Sequence, residues 1–211
     1  MIKNFNINKN SNQSGRSMIE MLGVLAIVGV LSVGGIAGYS KAMEKFKINK
    51  TVDHVSQIAT NIRTLYAQQT TYAGLNNNTA VQMGVVPDSL ATSGTSYTSI
   101  TNDFGGNVTI WDYYYLEGTF AISMSAISKQ ACIEMATLDW GNASSSGLVA
   151  MNIGWITNST IDDSTCNKMI GSDWFTYCPH KGPLTVAQAT QACNNGGEDD
   201  NTSYGIVWIF K

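Results

Sequence analysis

Residues 21–40, MLGVLAIVGVLSVGGIAGYS, carry no charge, and the residue immediately before them is a glutamate. A helix rises 1.5 Å per residue, so a run of this length covers about 30 Å, the thickness of one bilayer hydrocarbon core. The segment is therefore long enough to span a bilayer. Glu20 tightens the constraint, because an ionised carboxylate at bilayer depth costs roughly 3 kcal/mol on insertion scales and calls for an opposite charge to meet it. Snorkelling of Glu20 to the headgroups from the helix end is the simpler alternative.

A secretory signal peptide has a shorter apolar stretch, about 7 to 15 residues, followed by small residues at a cleavage site. Gly35, Ala37 and Gly38 imitate such a site, and cleavage near Tyr39 would release a secreted, monomeric binding or hydrolytic domain. Lys3, Lys9 and Arg16 precede the run while Lys41, Lys45, Lys47 and Lys50 follow it, so flanking charge does not fix an orientation. Gly23, Gly29, Gly34, Gly35 and Gly38 punctuate the run. Gly34 and Gly38 form a GxxxG, which lets helix backbones approach closely. Each glycine lowers helix propensity by about 1 kcal/mol relative to alanine, so local unwinding near Gly29 or Gly34 is expected.

The remainder reads differently. Only 13% of the 211 residues are charged, below the usual 25% or so for a soluble domain, and Ser, Thr, Asn and Gly dominate from residue 70 onward, as suits short strands and turns. Five tryptophans and nine tyrosines supply enough apolar area for a core. A net charge of −3, with no basic stripe beyond lysines 41–50, predicts no nucleic-acid partner.

Neither an enzyme nor a cofactor is expected. The histidines are His54 and His180; His180 has Asp173 and Asp162 within loop distance, but no nucleophile-elbow or zincin spacing accompanies them. Asp162 with Asp163, and Glu198 with Asp199 and Asp200, offer hard oxygens without the alternating spacing of a calcium loop, and read as solubilising charges. Tyr113, Tyr114 and Tyr115 offer an adhesive patch, although strand alternation assigns at least one of them to the core. Cys132, Cys166, Cys178 and Cys193 contain no CxxC. An even count behind an export segment favours two disulfides in an oxidising compartment over zinc.

Beyond Lys50, the residues Val52, Val55, Ile58, Ala59, Ile62, Leu65 and Tyr66 recur at three and four, while Lys50, Asp53, His54, Gln57, Asn61 and Arg63 fill the other faces. That period predicts an amphipathic continuation of one helix over about 16–69, with a single stripe buried on a sheet and His54 in solvent. Residues 70–106 read as a loop-rich connection with a short helix near Thr79–Met83. Strands are predicted at Val108–Leu116, Thr119–Met124, Gly147–Ile153 and Tyr204–Phe210. Helices are predicted at Ser125–Leu138 and Thr185–Cys193, the latter opened by a capping box of Thr185 and Gln188. Cys132 and Cys193 fall on these two helices, so a bridge between them would clamp the final segment, leaving Cys166 with Cys178. Four cysteines allow three connectivities, and the sequence does not choose among them. The expected fold is α+β, a long N-terminal helix packed on an antiparallel sheet with a disulfide-bonded C-terminal region.

Gly15, four residues, Glu20 and then an apolar helix together resemble the processing signal of type IV pilins. The resemblance implies a leader at 1–15 cut by a prepilin peptidase between Gly15 and Arg16. It also implies a transmembrane and filament-core helix at 16–40, an amphipathic continuation at 41–69 and a globular head at 70–211. The same resemblance implies inner-membrane storage with the head in the periplasm, followed by homo-oligomeric assembly into an extracellular helical filament by inner-membrane machinery. Membrane lipid is the partner before assembly, and Glu20 pairs with the new N-terminus of a neighbour afterwards. Arg16 departs from the family, whose first mature residue is usually hydrophobic and N-methylated; its guanidinium adds a permanent positive charge beside the amine. The long leader and cysteine-bracketed C-terminal region resemble the type IVb branch. A pseudopilin of a type II secretion system shares the same amino terminus and is the nearest alternative.

Overall fold

The computed structural model describes residues 18–93, 98–141, 146–154, 168–170, 174–178, 184–194 and 204–211. Gly15, Arg16, Cys166, Asp162, Asp163, Asp173, His180, Glu198, Asp199 and Asp200 lie outside the described residues. The chain divides into two compact units, Met1–Met43 and Glu44–Lys211. A single helix, α1, runs Met18–Leu65 and contributes to both.

Within the second unit, α1 buries Ile48, Thr51, His54, Val55, Ile58, Ala59 and Ile62, at spacings of three and four that keep one stripe on one face. Val52 is half-buried at its edge, and Leu65, expected in the stripe, is exposed. The stripe packs on an antiparallel sheet of eight strands in the order β1-β2-β3-β4-β8-β5-β7-β6. The strands are β1 (Ala91–Ser93), β2 (Thr98–Thr101), β3 (Asn107–Asp112), β4 (Phe120–Ile127), β5 (Leu148–Gly154), β6 (Lys168–Ile170), β7 (Trp174–Tyr177) and β8 (Tyr204–Phe210). The last strand in the sequence lies at the centre, paired to β4 on one side and β5 on the other.

Central position explains composition. In β4 and β8 alternate residues serve two clusters: Phe120, Ile122, Trp208 and Phe210 join the large core that includes α1, while Ala121, Val207 and Ile209 join Tyr113 and Ala150 on the opposite face. Both faces are thus buried at the centre, and the strands read as near-continuous apolar runs. Three shorter helices complete the fold, α2 (Asn77–Gln82), α3 (Lys129–Thr137) and α4 (Val186–Asn194). Asn76 and Thr79 cap α2 reciprocally. The capping box expected from Thr185 and Gln188 is present, with the Thr185 N–H donating to Gln188 Oε1 at 3.0 Å and the Gln188 N–H donating to Thr185 Oγ1 at 3.3 Å.

Several boundaries differ from expectation for local reasons. The helix predicted from Ser125 begins only after Ser128, because β4 continues through a register shift to Ile127. Ala126 takes a left-handed φ of 57° there, a conformation that costs roughly 1–2 kcal/mol for a residue with a Cβ. The bulge presses the Ser125 carbonyl against Gly106, where a Cβ would sit 1.9 Å from that oxygen. The strand predicted to Leu116 stops at Asp112, and the three tyrosines form the turn into β4: Tyr113 is buried, Tyr114 exposed. Strands β1 and β2 occupy part of the presumed loop, and β6 and β7 were not anticipated, being too short to show a period.

Candidate assembly helix and its anchorage

In the first unit α1 is apolar on every face. Thirteen large hydrophobic side chains between Met18 and Tyr39 are 44–85% exposed, so no stripe of this segment is buried among the described residues. A helix that is hydrophobic all round belongs in a membrane or a core. Glu20 is in its first turn and exposed, where the positive end of the helix dipole favours a carboxylate. The hydroxyls of Ser32 and Ser40 donate to the carbonyls of Val28 and Ile36 at 2.7 and 3.0 Å, satisfying inside the helix groups that a lipid-like surrounding could not. At Gly34 and Gly38 an added Cβ would meet nothing within 4 Å. They are shallow places on the helix surface, open to the backbone of another helix.

From Glu44 onward the polar face of α1 is tied down. Ser128, which caps α3 by accepting from the Ala131 N–H, donates its own hydroxyl to Glu44 Oε1 at 2.6 Å. Lys45 pairs with Glu134 on α3, and this hydrogen bond, assisted by one from Gln130, holds the Glu134 carboxyl below its ordinary range. Lys47 sits 5.8 Å over the Phe104 ring. Asp103, in the β2–β3 turn, meets two groups of α1: its Oδ1 accepts from Lys50 Nζ at 2.7 Å, and its Oδ2 lies 3.0 Å from His54 Nδ1.

His54 is therefore not in solvent, as its place outside the apolar stripe suggested; it is 8% exposed. The turn that carries Asp103 folds over it. Asn102 shapes the turn, its Oδ1 accepting from the N–H groups of Phe104 and Gly106 while its Nδ2 donates to the Ser125 carbonyl at 2.8 Å. Sequence reading missed Asp103, Ser128 and Glu134 as anchors, since their partners lie 53, 84 and 89 residues away. The only local signal was the turn Asn102–Gly106, which announces a reversal but not what it touches.

The bridge expected between Cys132 and Cys193 is present, with the Cα atoms 6.1 Å apart, and it ties α3 to α4 under the large core. Cys178 is buried and disulfide-bonded; Cys166, its expected partner, lies outside the described residues. Burial pushes the Tyr113 hydroxyl up to about 12, with Tyr115 and Tyr114 adding to the effect. Among the described residues no group of three His, Cys, Asp or Glu side chains is placed to hold a metal ion.

Comparison with known proteins adds a family. The model of the Bundlin family matches residues 40–211. The major structural subunit of bundle-forming pilus from Escherichia coli O127:H6 (strain E2348/69 / EPEC) is 26% identical over 200 residues, 91% of this chain and 93% of the relative. The protein of the same description from Escherichia coli O111:H- matches at the same identity and coverage. A type IV b pilin from Salmonella typhi, solved by crystallography, covers 76% of this chain and 97% of its own at 14% identity, with a TM-score of 0.49.

Proposed function

We infer the function from a plain premise: this chain belongs to the bundlin family. It is a structural subunit of a type IV pilus-like filament, a homo-oligomer, held in a membrane by its apolar N-terminal helix before assembly and extracellular afterwards.

The finer steps are our reading. A prepilin peptidase removes residues 1–15, cutting between Gly15 and Arg16. The subunit waits in the inner membrane with its head in the periplasm until the assembly machinery inserts it into the filament. Residues 16–40 then become filament core, with Gly34 and Gly38 at close helix contacts. Glu20 meets the new α-amino group of a neighbouring subunit, with the Arg16 guanidinium beside it. Magnitudes favour such a pair. Opposite charges 4 Å apart attract by about 4 kcal/mol at an effective dielectric near 20, against about 1 in water, which offsets much of the roughly 3 kcal/mol that each charge costs alone in lipid, and removing either partner leaves the other uncompensated.

One observation supports this reading above the others. The first half of α1 exposes apolar surface all round, headed by one carboxylate, so its natural counterpart is another molecule. The test is electron microscopy of sheared surface material together with mass determination of the mature chain. Filaments built from a chain that begins at Arg16 are expected. A soluble, solitary product beginning near Tyr39 would overturn the reading.

A further inference from the structure

One aromatic side chain of α1 stays outside the packing of the head. Phe46 is 58% exposed, although the residues around it are fastened to other elements. Glu44 accepts from the Ser128 hydroxyl, Lys45 pairs with Glu134, Lys47 sits over the Phe104 ring and Lys50 donates to Asp103. Those ties fix this turn of the helix and with it the direction of the phenyl ring. Phe46 stands nine residues before the buried Val55, about two and a half turns at 3.6 residues per turn, so it points away from the buried stripe. On its side of the helix Asn49, Asp53 and Gln57 are exposed and polar, as a water-facing side requires. A lone exposed hydrophobic residue needs no explanation, but Phe46 is not lone: it follows the exposed apolar run that ends at Tyr39 by seven residues of the same helix.

Lipid does not account for it. The uncharged run ends at Ser40, and Phe46 lies six residues, about 9 Å, further along the helix. Glu44, Lys45 and Lys47 stand within two residues of it, and such charges keep that turn out of hydrocarbon. We propose that Phe46 packs against the apolar run Met18–Tyr39 of a second copy in the filament, an inference that rests on the filament reading above. That run offers thirteen exposed large hydrophobic side chains, and an aromatic anchor buries much apolar area for a single residue. The contact also supplies what the run lacks. A uniformly apolar helix leaves its axial position loosely specified, whereas a ring held at a fixed place on the head gives a sliding neighbour one point at which to stop.

The test uses the full chain expressed with its assembly machinery. Placing p-benzoylphenylalanine at position 46 and irradiating sheared filaments is expected to give a covalent dimer in which position 46 is joined to the peptide 18–39. An adduct with lipid alone, with another part of the head, or within one chain overturns the proposal. Phe46→Asp is expected to lower recovery of sheared filaments about tenfold, as for loss of an interface anchor, while Phe46→Leu retains recovery and both leave the melting of the head unchanged. Wild-type recovery from Phe46→Asp overturns the proposal. So does a loss accompanied by lower head melting, since Phe46 would then serve its own chain. Failure of the wild-type chain itself to form filaments is a different result, and it removes the filament reading and the proposal with it.

Discussion

The two halves of α1 are one helix under two regimes. From Met18 to Tyr39 the side chains are apolar on all sides and exposed; from Ile48 to Ile62 they are apolar on one stripe, and that stripe is buried. The second half finds its partner in its own chain, in the sheet and in the turn that carries Asp103. The first half has no partner in the described chain and must find one outside it. The difference is already present in the period: a stripe at three and four specifies a surface, whereas a uniform run specifies only a medium. The helix is thus split by function, with assembly on one side and folding on the other, and substitutions should separate the two.

The largest separation is expected at Glu20. Glu20→Val should leave the subunit in the membrane with a folded head, yet abolish filaments when no wild-type subunit is present. Electron microscopy of sheared material reads the loss, and membrane fractionation with head melting reads what is retained. Normal filaments from this variant would break the comparison at its root, since the first half of α1 would then need no charged partner.

Ile58→Ala probes the other half. Ile58 is fully buried in the large core, so its truncation should cost the head about 2–5 kcal/mol in denaturant unfolding through lost burial and a residual cavity. Leu25→Ala, at a position 64% exposed within the chain, should leave that unfolding curve unmoved. Equal effects of the two substitutions would mean that the first half also has an intramolecular partner.

Much of this division was legible in the residues. The uniform run, the later stripe, the final strand Tyr204–Phe210 and the cap of α4 by Thr185 all follow from local rules, because period and capping are decided within about a turn of the residue concerned. Errors arose where a distant element intervened. His54 reads as polar and solvent-facing, yet it stands three residues after Thr51 and four before Ile58 at the edge of the buried stripe, and only the fold brings Asp103 to it. Ser125 to Ile127 resemble the first turn of a helix, but pairing with β8 holds them in a bulged strand. The tyrosine run has strand composition, yet the chain must turn at Gly118, with φ 69°, to send β4 back beside β3. Glu20 is the opposite case, since its importance is visible in sequence while its partner is in neither the period nor the described chain.

Asp103→Asn should produce an effect of intermediate size. It keeps the shape of the side chain but weakens its hold on both Lys50 and His54. Oδ1 accepts from Lys50, Oδ2 lies 3.0 Å from His54 Nδ1, and the side chain is only 12% exposed, so a loss of about 1–3 kcal/mol is expected, as for a hydrogen bond to a charged group. Thermal unfolding of the head measures it. A loss of that size confined to the head, with filaments still formed at reduced temperature, would sharpen the boundary between anchorage and assembly.

The smallest effect is expected at Glu134, which reaches α1 through Lys45 across the surface. The Lys45 side chain is 59% exposed, so solvent screening limits the pair to about 1 kcal/mol or less, and Glu134→Gln should lower head stability by no more than that. The sign with pH follows from the lowered carboxyl. Because the folded state holds Glu134 ionised below its ordinary range, the stabilisation is complete above the unfolded carboxylate value. It drains away as pH falls through the depressed one. Comparing wild type with Glu134→Gln, the difference in unfolding free energy should therefore be present at neutral pH, shrink on acidification and shrink also in high salt. A difference that grows in acid would remove Lys45 as the cause, and with it one of the ties that make the second half of α1 part of the head.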